Sequence, residues 1–248
     1  MISGGITDTA LVDAESVGDG IQTPFRSFLS DFCENKIAVI SFVVVVVVIM
    51  IALFAPFISP TDPYDLAIVT VADKALSPGM TMLSGQVAYL GTDGSGRDLL
   101  SSIFYGLRIS LTVGIGSGVI ALAIGVVIGL SAAYFGGRTD ALIMRLVDMQ
   151  LSFPAILIAL VLLVTLGKGV DKTLIALIVV QWAYYARTVR ASALVERNKE
   201  YIESAQCLAL SKSRILFRHL LPNVVAPIIV VGTMQTAHAI ALEATLSF

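Results

Sequence analysis

Between Lys36 and Asp62 the chain carries no charged side chain, and six consecutive valines, Val43 to Val48, lie inside that stretch. Valine is β-branched and only a moderate helix former in water. In lipid there is no water to satisfy backbone N–H and C=O groups. A lone segment must pair them itself, and a helix does so. The core from Ile37 to Ile58 meets the ~20 apolar residues that a membrane-crossing helix needs. Residues 1–36 ahead of it are mostly polar and hold more acids than bases. With a core longer than a typical leader's, this reads as a retained span rather than a cleaved signal peptide.

Composition extends the argument to the whole chain. Of 248 residues, 56% are hydrophobic and only 14% are charged. Soluble domains carry about 25% charged residues. Too few charges remain to clothe a water-facing surface, which excludes a soluble globular enzyme. Such hydrophobicity also excludes a disordered chain. A net charge of −2 gives no whole-chain basic signal for nucleic acid. Two cysteines, Cys33 and Cys207, are too few for a disulfide scaffold. The fold class that remains is an all-α integral membrane protein, a polytopic helical bundle.

Five spans are visible: residues 37–58, then stretches near 109–134, 149–166, 173–190 and 223–247. The first is a helix by itself, preceded by an N-terminal tail at 1–36 and followed by a loop at 59–106. The other four form a core at 107–248. No long-period internal repeat is present. Gly114/Gly118 and Gly125/Gly129 have the small-xxx-small spacing that lets helix backbones approach closely. The bland alternative is that glycine is simply common in membrane helices. Pro154 lies near the start of the third span. Arg145 and Asp148 just before it suit either a local ion pair or two solvated charges. Arg187 and Arg190 are expected to carry the fourth helix into the headgroup region.

Alternating sides sorts the 16 basic residues into two sets. Arg26, Lys36, Arg138, Arg145, Arg187, Arg190, Arg197, Lys199, Lys212, Arg214 and Arg218 fall on one side. Lys74, Arg97, Arg108, Lys168 and Lys172 fall on the other. Basic excess marks the cytoplasmic side, so the N-terminus is expected to be cytoplasmic and loop 59–106 extracytoplasmic. Both cysteines then lie in a reducing compartment.

Residues 196–222 read as two short amphipathic pieces, one near Asn198 to Leu208 and one from Ser211 to Leu221. Ser211 is a favoured N-cap type, and Ile215, Leu216 and Leu220 recur at helical spacing. Pro222 opens the next span, where a first-turn proline is tolerated. Such pieces suit a lipid surface or a groove on a soluble partner. Glu196, Glu200 and Glu203 disfavour an anionic lipid surface.

Nothing points to nucleotide chemistry, a cofactor or a metal centre. There is no G-x-x-x-x-G-K-[ST] phosphate loop. Asp93 and Asp98 lack EF-hand spacing and read, with Arg97, as a self-satisfied turn. Polar residues within spans are candidates for a translocation path, here Gln150, Gln181, Gln235 and His238. Gln235 and His238 are three apart and share a face. Hydrogen bonding between helices is the competing reading. His238 has no companion ligand at metal spacing. Glu243 falls ~30 Å along the helix from Asn223, near the outer surface.

The segment Glu203-Ser204-Ala205, three residues, Ala209, nine residues, His219-Leu220-Leu221-Pro222 resembles the EAA loop of bacterial ABC importer permeases. That family has E-A-A, three residues, Gly, nine residues, I-x-L-P, so Ser204, Ala209 and His219 are departures. Phe217 to Asn223 is similar to the dipeptide/oligopeptide/nickel branch. So are Gly91 to Asp98 with Ser101, Gly106, Arg108, Ser110 and Leu111, then Ser152 to Ala155, and Glu243 to Phe248. The resemblance covers about residues 37–248. If the turn at Ala209 needs a positive φ, alanine is strained there.

The resemblance implies a type I importer permease in the bacterial inner (cytoplasmic) membrane, a transport subunit rather than an enzyme. It would form half of a translocation path for short peptides or a nickel chelate. Its partners would be a second homologous permease, two ATP-binding subunits and an extracytoplasmic substrate-binding protein. The loop at 196–222 would couple to an ATPase through Glu203, Ser204, Ala205, Ala209, Arg214, Leu216, Arg218, Leu221 and Pro222. Leu216, Leu220 and Leu221 would fill the ATPase cleft. The branch usually has six spans, so the sixth is expected to be missing and the chain shortened. A self-contained secondary transporter or channel is the alternative from another class, and a truncated, non-functional permease is a third reading.

Overall fold

A computed structural model describes residues 32–65 and 69–246. Residues 1–31, most of the expected N-terminal tail, lie outside the described residues, as do the last two residues of the Glu243–Phe248 motif. The chain divides into two compact units, Met1–Ile51 and Ala52–Phe248. The described part of the first unit is mainly helix α1, Lys36–Ile58, which runs on into the second. Asn35 starts it: its Oδ1 accepts from Ile37 N at 3.1 Å and Ala38 N at 3.2 Å. Those are two of the N–H groups a helix start leaves without an internal partner. At 23 residues it is about 34 Å long, and it is apolar all round.

After the end of α1, the second unit continues with the loop at 59–98. A two-stranded antiparallel ribbon, β1 Met80–Thr81 and β2 Val87–Ala88, pairs Met80 with Ala88 and Thr81 with Val87. Asp93 closes a turn on itself, with Oδ1 accepting from Ser95 N at 2.8 Å and Arg97 N at 2.9 Å. The Asp93–Arg97 ion pair completes this self-contained turn. Asp98 has a different task from the one expected. Its Oδ2 accepts from Ser101 N at 2.8 Å and Ser101 Oγ at 2.6 Å, which caps the next helix.

Helix α2, Leu99–Phe135, is 37 residues long and starts ten residues ahead of the stretch at 109–134. Positive φ at Gly136 (61°) and Gly137 (53°) reverses the chain into α3, Gly137–Ser152. The expected single span at 149–166 is broken. Phe153 and Pro154 are extended, and α4, Ala155–Leu166, leaves at 86° to α3. Proline lacks an N–H and bars the residue before it from helical ψ, which ends α3 there. Helix α5, Val170–Arg197, carries the expected stretch at 173–190 seven residues further. Among the described residues, three helices are long and apolar enough to cross a membrane, and the bent pair would make a fourth. Helix α5 has the length, but its charged residues set it apart from those.

Helices α2 and α5 pack along most of their length, and α7, Lys212–Leu246, lies against both. The glycines explain the closeness. A Cβ on Gly125 would sit 2.4 Å from Tyr185 Cβ, and one on Gly129 2.6 Å from the Ala186 carbonyl oxygen. A Cβ on Gly114 would meet Ile240 of α7 at 2.5 Å. The small-xxx-small spacing is therefore a packing device here.

Candidate coupling elbow

At one end of this bundle the chain turns back on itself. Helix α6, Glu200–Cys207, is followed by a tight turn and then α7. Ala209 occupies the turn with φ 51°, so the left-handed conformation is present although glycine is absent. An L-residue there carries roughly 1–2 kcal/mol of strain. Backbone bonds hold the turn: Ala209 N donates to Gln206 O at 2.9 Å and Leu210 N to Ala205 O at 3.3 Å. Ser211 sits at the N-cap position with extended backbone, but its side chain makes no capping bond.

The second piece of the elbow is not a separate helix. Residues Ile215–Leu220 form a π turn that runs without a break into the rest of α7. Leu221 N donates to Leu216 O, five residues back. Buried residues explain the register. Leu220, Val224 and Ile228 repeat every four residues, whereas Ile215 precedes Leu220 by five. In an unbroken α-helix that step would rotate Ile215 about 140° away. The wider turn keeps it on the core face, and it also makes room for the Pro222 ring against the preceding carbonyls. Pro222 therefore lies within a continuous helix rather than opening a new one.

The elbow has a locked inner face and a free outer face. Ile202 and Ala205 of α6 and Ile215, Leu216 and Leu220 of α7 pack with Leu130 and Ala133 of α2 and Val189 and Ala193 of α5. Ala205 is 5% exposed and Leu216 8%. These two, expected to meet a partner, are instead part of the chain's own core, as is Leu220. Leu221 is half-buried. Glu203, Ser204, Ala209, Arg214, Arg218 and Pro222 are exposed. Two exposed apolar side chains outside the expected coupling set join them, Leu208 at 74% and Phe217 at 48%. Both fall off the spacing that defined the apolar stripe, which is why they point outward.

A polar clasp fixes the elbow to α5. Lys199 Nζ donates to Glu196 Oε1 at 2.6 Å, Tyr201 Oη to Glu196 Oε2 at 2.9 Å, and Asn223 Nδ2 to Tyr201 Oη at 3.2 Å. The Lys199 ammonium holds the Glu196 carboxyl below its usual range; burial opposes it, and the Tyr201 hydroxyl adds a lesser lowering. Arg197 Nη1 also donates to the Ala133 carbonyl of α2 at 2.8 Å. Beside the clasp, α3 is bound to α5 by two ion pairs. Arg190 Nε donates to Asp140 Oδ1 at 2.7 Å, and its Nη2 reaches the other oxygen. Asp148 pairs with Arg187, not with Arg145.

The intramembrane polar residues do not converge. Gln181 is buried, and its Nε2 donates to Ser117 Oγ of α2 at 3.2 Å, leaving Oε1 without a partner among the described residues. Gln150 Nε2 donates to the Val179 carbonyl of α5 at 3.1 Å. Both bonds join helices. Gln235 is buried while His238 is exposed, so the shared face splits between interior and outside. Glu243, near the other end of α7, is buried and accepts from Ser110 Oγ of α2 at 2.7 Å.

Long apolar helices around a glycine-packed core, with a protruding elbow keyed into it, define a helical membrane-protein architecture. Comparison with known proteins specifies it. Residues 125–248 match the family described as the binding-protein-dependent transport system inner membrane component. Residues 23–78 match the N-terminal TM domain of oligopeptide transport permease C. The chain is 36% identical over 227 residues to the di/tripeptide transport system permease protein of Pseudomonas aeruginosa, covering 91% of this chain and 74% of the relative. It is 34% identical over 236 residues to the oligopeptide transport system permease protein of Bacillus subtilis, covering 95% and 74%. It is 36% identical over 228 residues to the dipeptide transport system permease protein of Haemophilus influenzae, covering 92% and 76%. The chain belongs to the inner-membrane component family of binding-protein-dependent transport systems. It is a multi-pass permease subunit of an ABC importer, not an enzyme.

Proposed function

We propose that this chain forms half of a translocation path for short peptides and couples to a cytoplasmic ATP-binding subunit through the tip of the elbow. The relatives' printed names, all concerned with di-, tri- or oligopeptides, support the substrate class. The observation that carries the coupling is the two-faced elbow. Its inner face is fixed to α2 and α5, so displacement of the tip moves both helices. Its outer face offers Leu208 and Phe217 as apolar contacts, with Glu203, Arg214 and Arg218 as charged anchors. A partner's cleft suits that mixture of apolar knob and flanking charge. Buried Ala205 and Leu216 act behind the contact by holding it rigid. A second permease, a second ATP-binding subunit and an extracytoplasmic binding protein complete the machine, with the N-terminus on the cytoplasmic side.

The test uses the reconstituted importer with Glu203→Lys and Leu208→Asp, each an exposed change. Both are expected to reduce co-purification of the ATP-binding subunit and peptide uptake at least tenfold, with unchanged thermal unfolding of the permease. Retention of both binding and uptake in the two variants refutes the coupling role.

A further inference from the structure

The elbow-side end of α2 is gripped by a cation from each limb of the elbow. Helix α2 closes at the Gly136–Gly137 reversal, and its last carbonyls need donors from elsewhere. Gly136 N reaches the Ala132 carbonyl at 3.0 Å, but among the described residues no backbone N–H reaches that of Ala133. Arg197, the last residue of α5, supplies the donor: its Nη1 lies 2.8 Å from Ala133 O. The guanidinium also sits against the reversal itself, since a Cβ on Gly136 would meet Nη1 at 3.1 Å. Gly136 has φ 61° and ψ −161°, a conformation open essentially to glycine. From the other limb, Lys212 at the start of α7 places Nζ 5.5 Å from the centre of the Phe135 ring. Both positive groups suit the negative end of the α2 macrodipole.

We infer that Arg197 is the positioning residue that makes α2 follow the elbow, with Lys212 supporting it. The inference rests on the coupling role proposed above. The apolar contacts of Ile202 and Ile215 with Leu130 and Ala133 press the elbow against α2. Such contacts are non-directional and leave the position along the helix axis loosely set. A hydrogen bond to one named carbonyl is directional and fixes that position. Its donor is charged, which places it among the stronger bonds of its kind.

The place of Arg197 in the chain suits the task. Helix α5 ends at Arg197, and α6 begins at Glu200. A displaced α6 therefore pulls on this residue before any other in α5. The guanidinium carries the pull to the end of α2, a helix of 37 residues. The α3 side of the same reversal is held to α5 by Asp140 and Arg190, further from the elbow. Of these two polar anchors on α5, Arg197 is the one adjoining the moving part.

The reconstituted importer tests this with Arg197→Gln, which removes the charge, and Arg197→Lys, which keeps a cation able to donate to a carbonyl. Arg197→Gln is expected to leave co-purification of the ATP-binding subunit and its ATP hydrolysis within twofold of the unaltered protein. Peptide carried per ATP is expected to fall at least fivefold with glutamine and to stay within twofold with lysine. A second measurement does not depend on transport. Spin labels at Arg138→Cys and Asn198→Cys, both exposed positions, are placed in the full chain with Cys33 and Cys207 replaced by serine. Their distance distribution is expected to be narrow in the unaltered and lysine chains and at least twice as wide with glutamine. An unchanged width in Arg197→Gln overturns the tie, whatever the importer does. Unchanged peptide per ATP, or an equal loss with lysine and glutamine, overturns its role in positioning. Loss of the ATP-binding subunit in Arg197→Gln overturns it too, because the residue would then act in docking. Failure of the coupling reading itself shows instead in Glu203→Lys and Leu208→Asp, which do not touch this tie.

Discussion

Ala209 shows how much one side chain decides at the elbow. Its φ of 51° means that the left-handed turn survives the loss of glycine, at the expense of local stability. Ala209→Gly is expected to stabilise the elbow by about 1 kcal/mol, partly offset by greater freedom of the unfolded chain. The measurement is hydrogen exchange at the amides from Leu208 to Ser211, which slows if the strain is real. Glu196 is a second residue with a measurable consequence. Its folded pKa is depressed by Lys199 and then Tyr201. Such a group adds stability above its unfolded pKa, and that contribution is lost as pH falls through the folded value. The clasp should therefore loosen below about pH 4 and stay closed at neutral pH. A spin label at Asn198→Cys is expected to gain mobility on acidification, and Glu196→Gln to show high mobility at all pH values.

At the scale of elements, the contact between α2 and α5 depends on the absence of side chains at two places. Gly125→Val would place a carbon 2.4 Å from Tyr185 Cβ and 2.9 Å from two backbone atoms of α5. Backbone cannot swing aside, so the helices must part, at about 3 kcal/mol. Gly232→Ala on α7, whose added Cβ would meet no other part of the described residues within 4 Å, is the control expected to leave thermal unfolding unchanged. The ion pairs between α3 and α5 admit a reciprocal test. Asp140→Arg alone should lower the melting temperature, and adding Arg190→Asp should recover much of the loss. The glycine spacing could be read from sequence because it is local to one helix. The pairing of Asp148 with Arg187 could not, since it joins residues 39 apart, and helical spacing offered Arg145 as a nearer partner. The break at Pro154 was visible as a proline but not as an 86° turn, because a proline near a helix start is compatible with a straight span.

For the whole molecule, the apolar stretches and the order of motifs were enough to place the chain among importer permeases. Which side of the elbow faces a partner was not legible. A motif records that Ala205 and Leu216 belong to the elbow but not that their contacts are intramolecular. The π turn was hidden for a related reason, since 3.6-residue periodicity has no place for a five-residue step. At this scale, uptake by the reconstituted importer is expected to stop with vanadate and to continue when a protonophore collapses the ion gradient. The π turn also has a mechanical consequence. Because the second limb of the elbow and the membrane helix that follows it are one rod, a load on the tip enters the bilayer as torque. The turn where the rod leaves the elbow is keyed into α2 and α5 by Ile215, Leu216 and Leu220. The chain behaves there like a splined shaft, so a twist at the tip is shared with those two helices as well as passed along the rod toward Glu243 and Ser110.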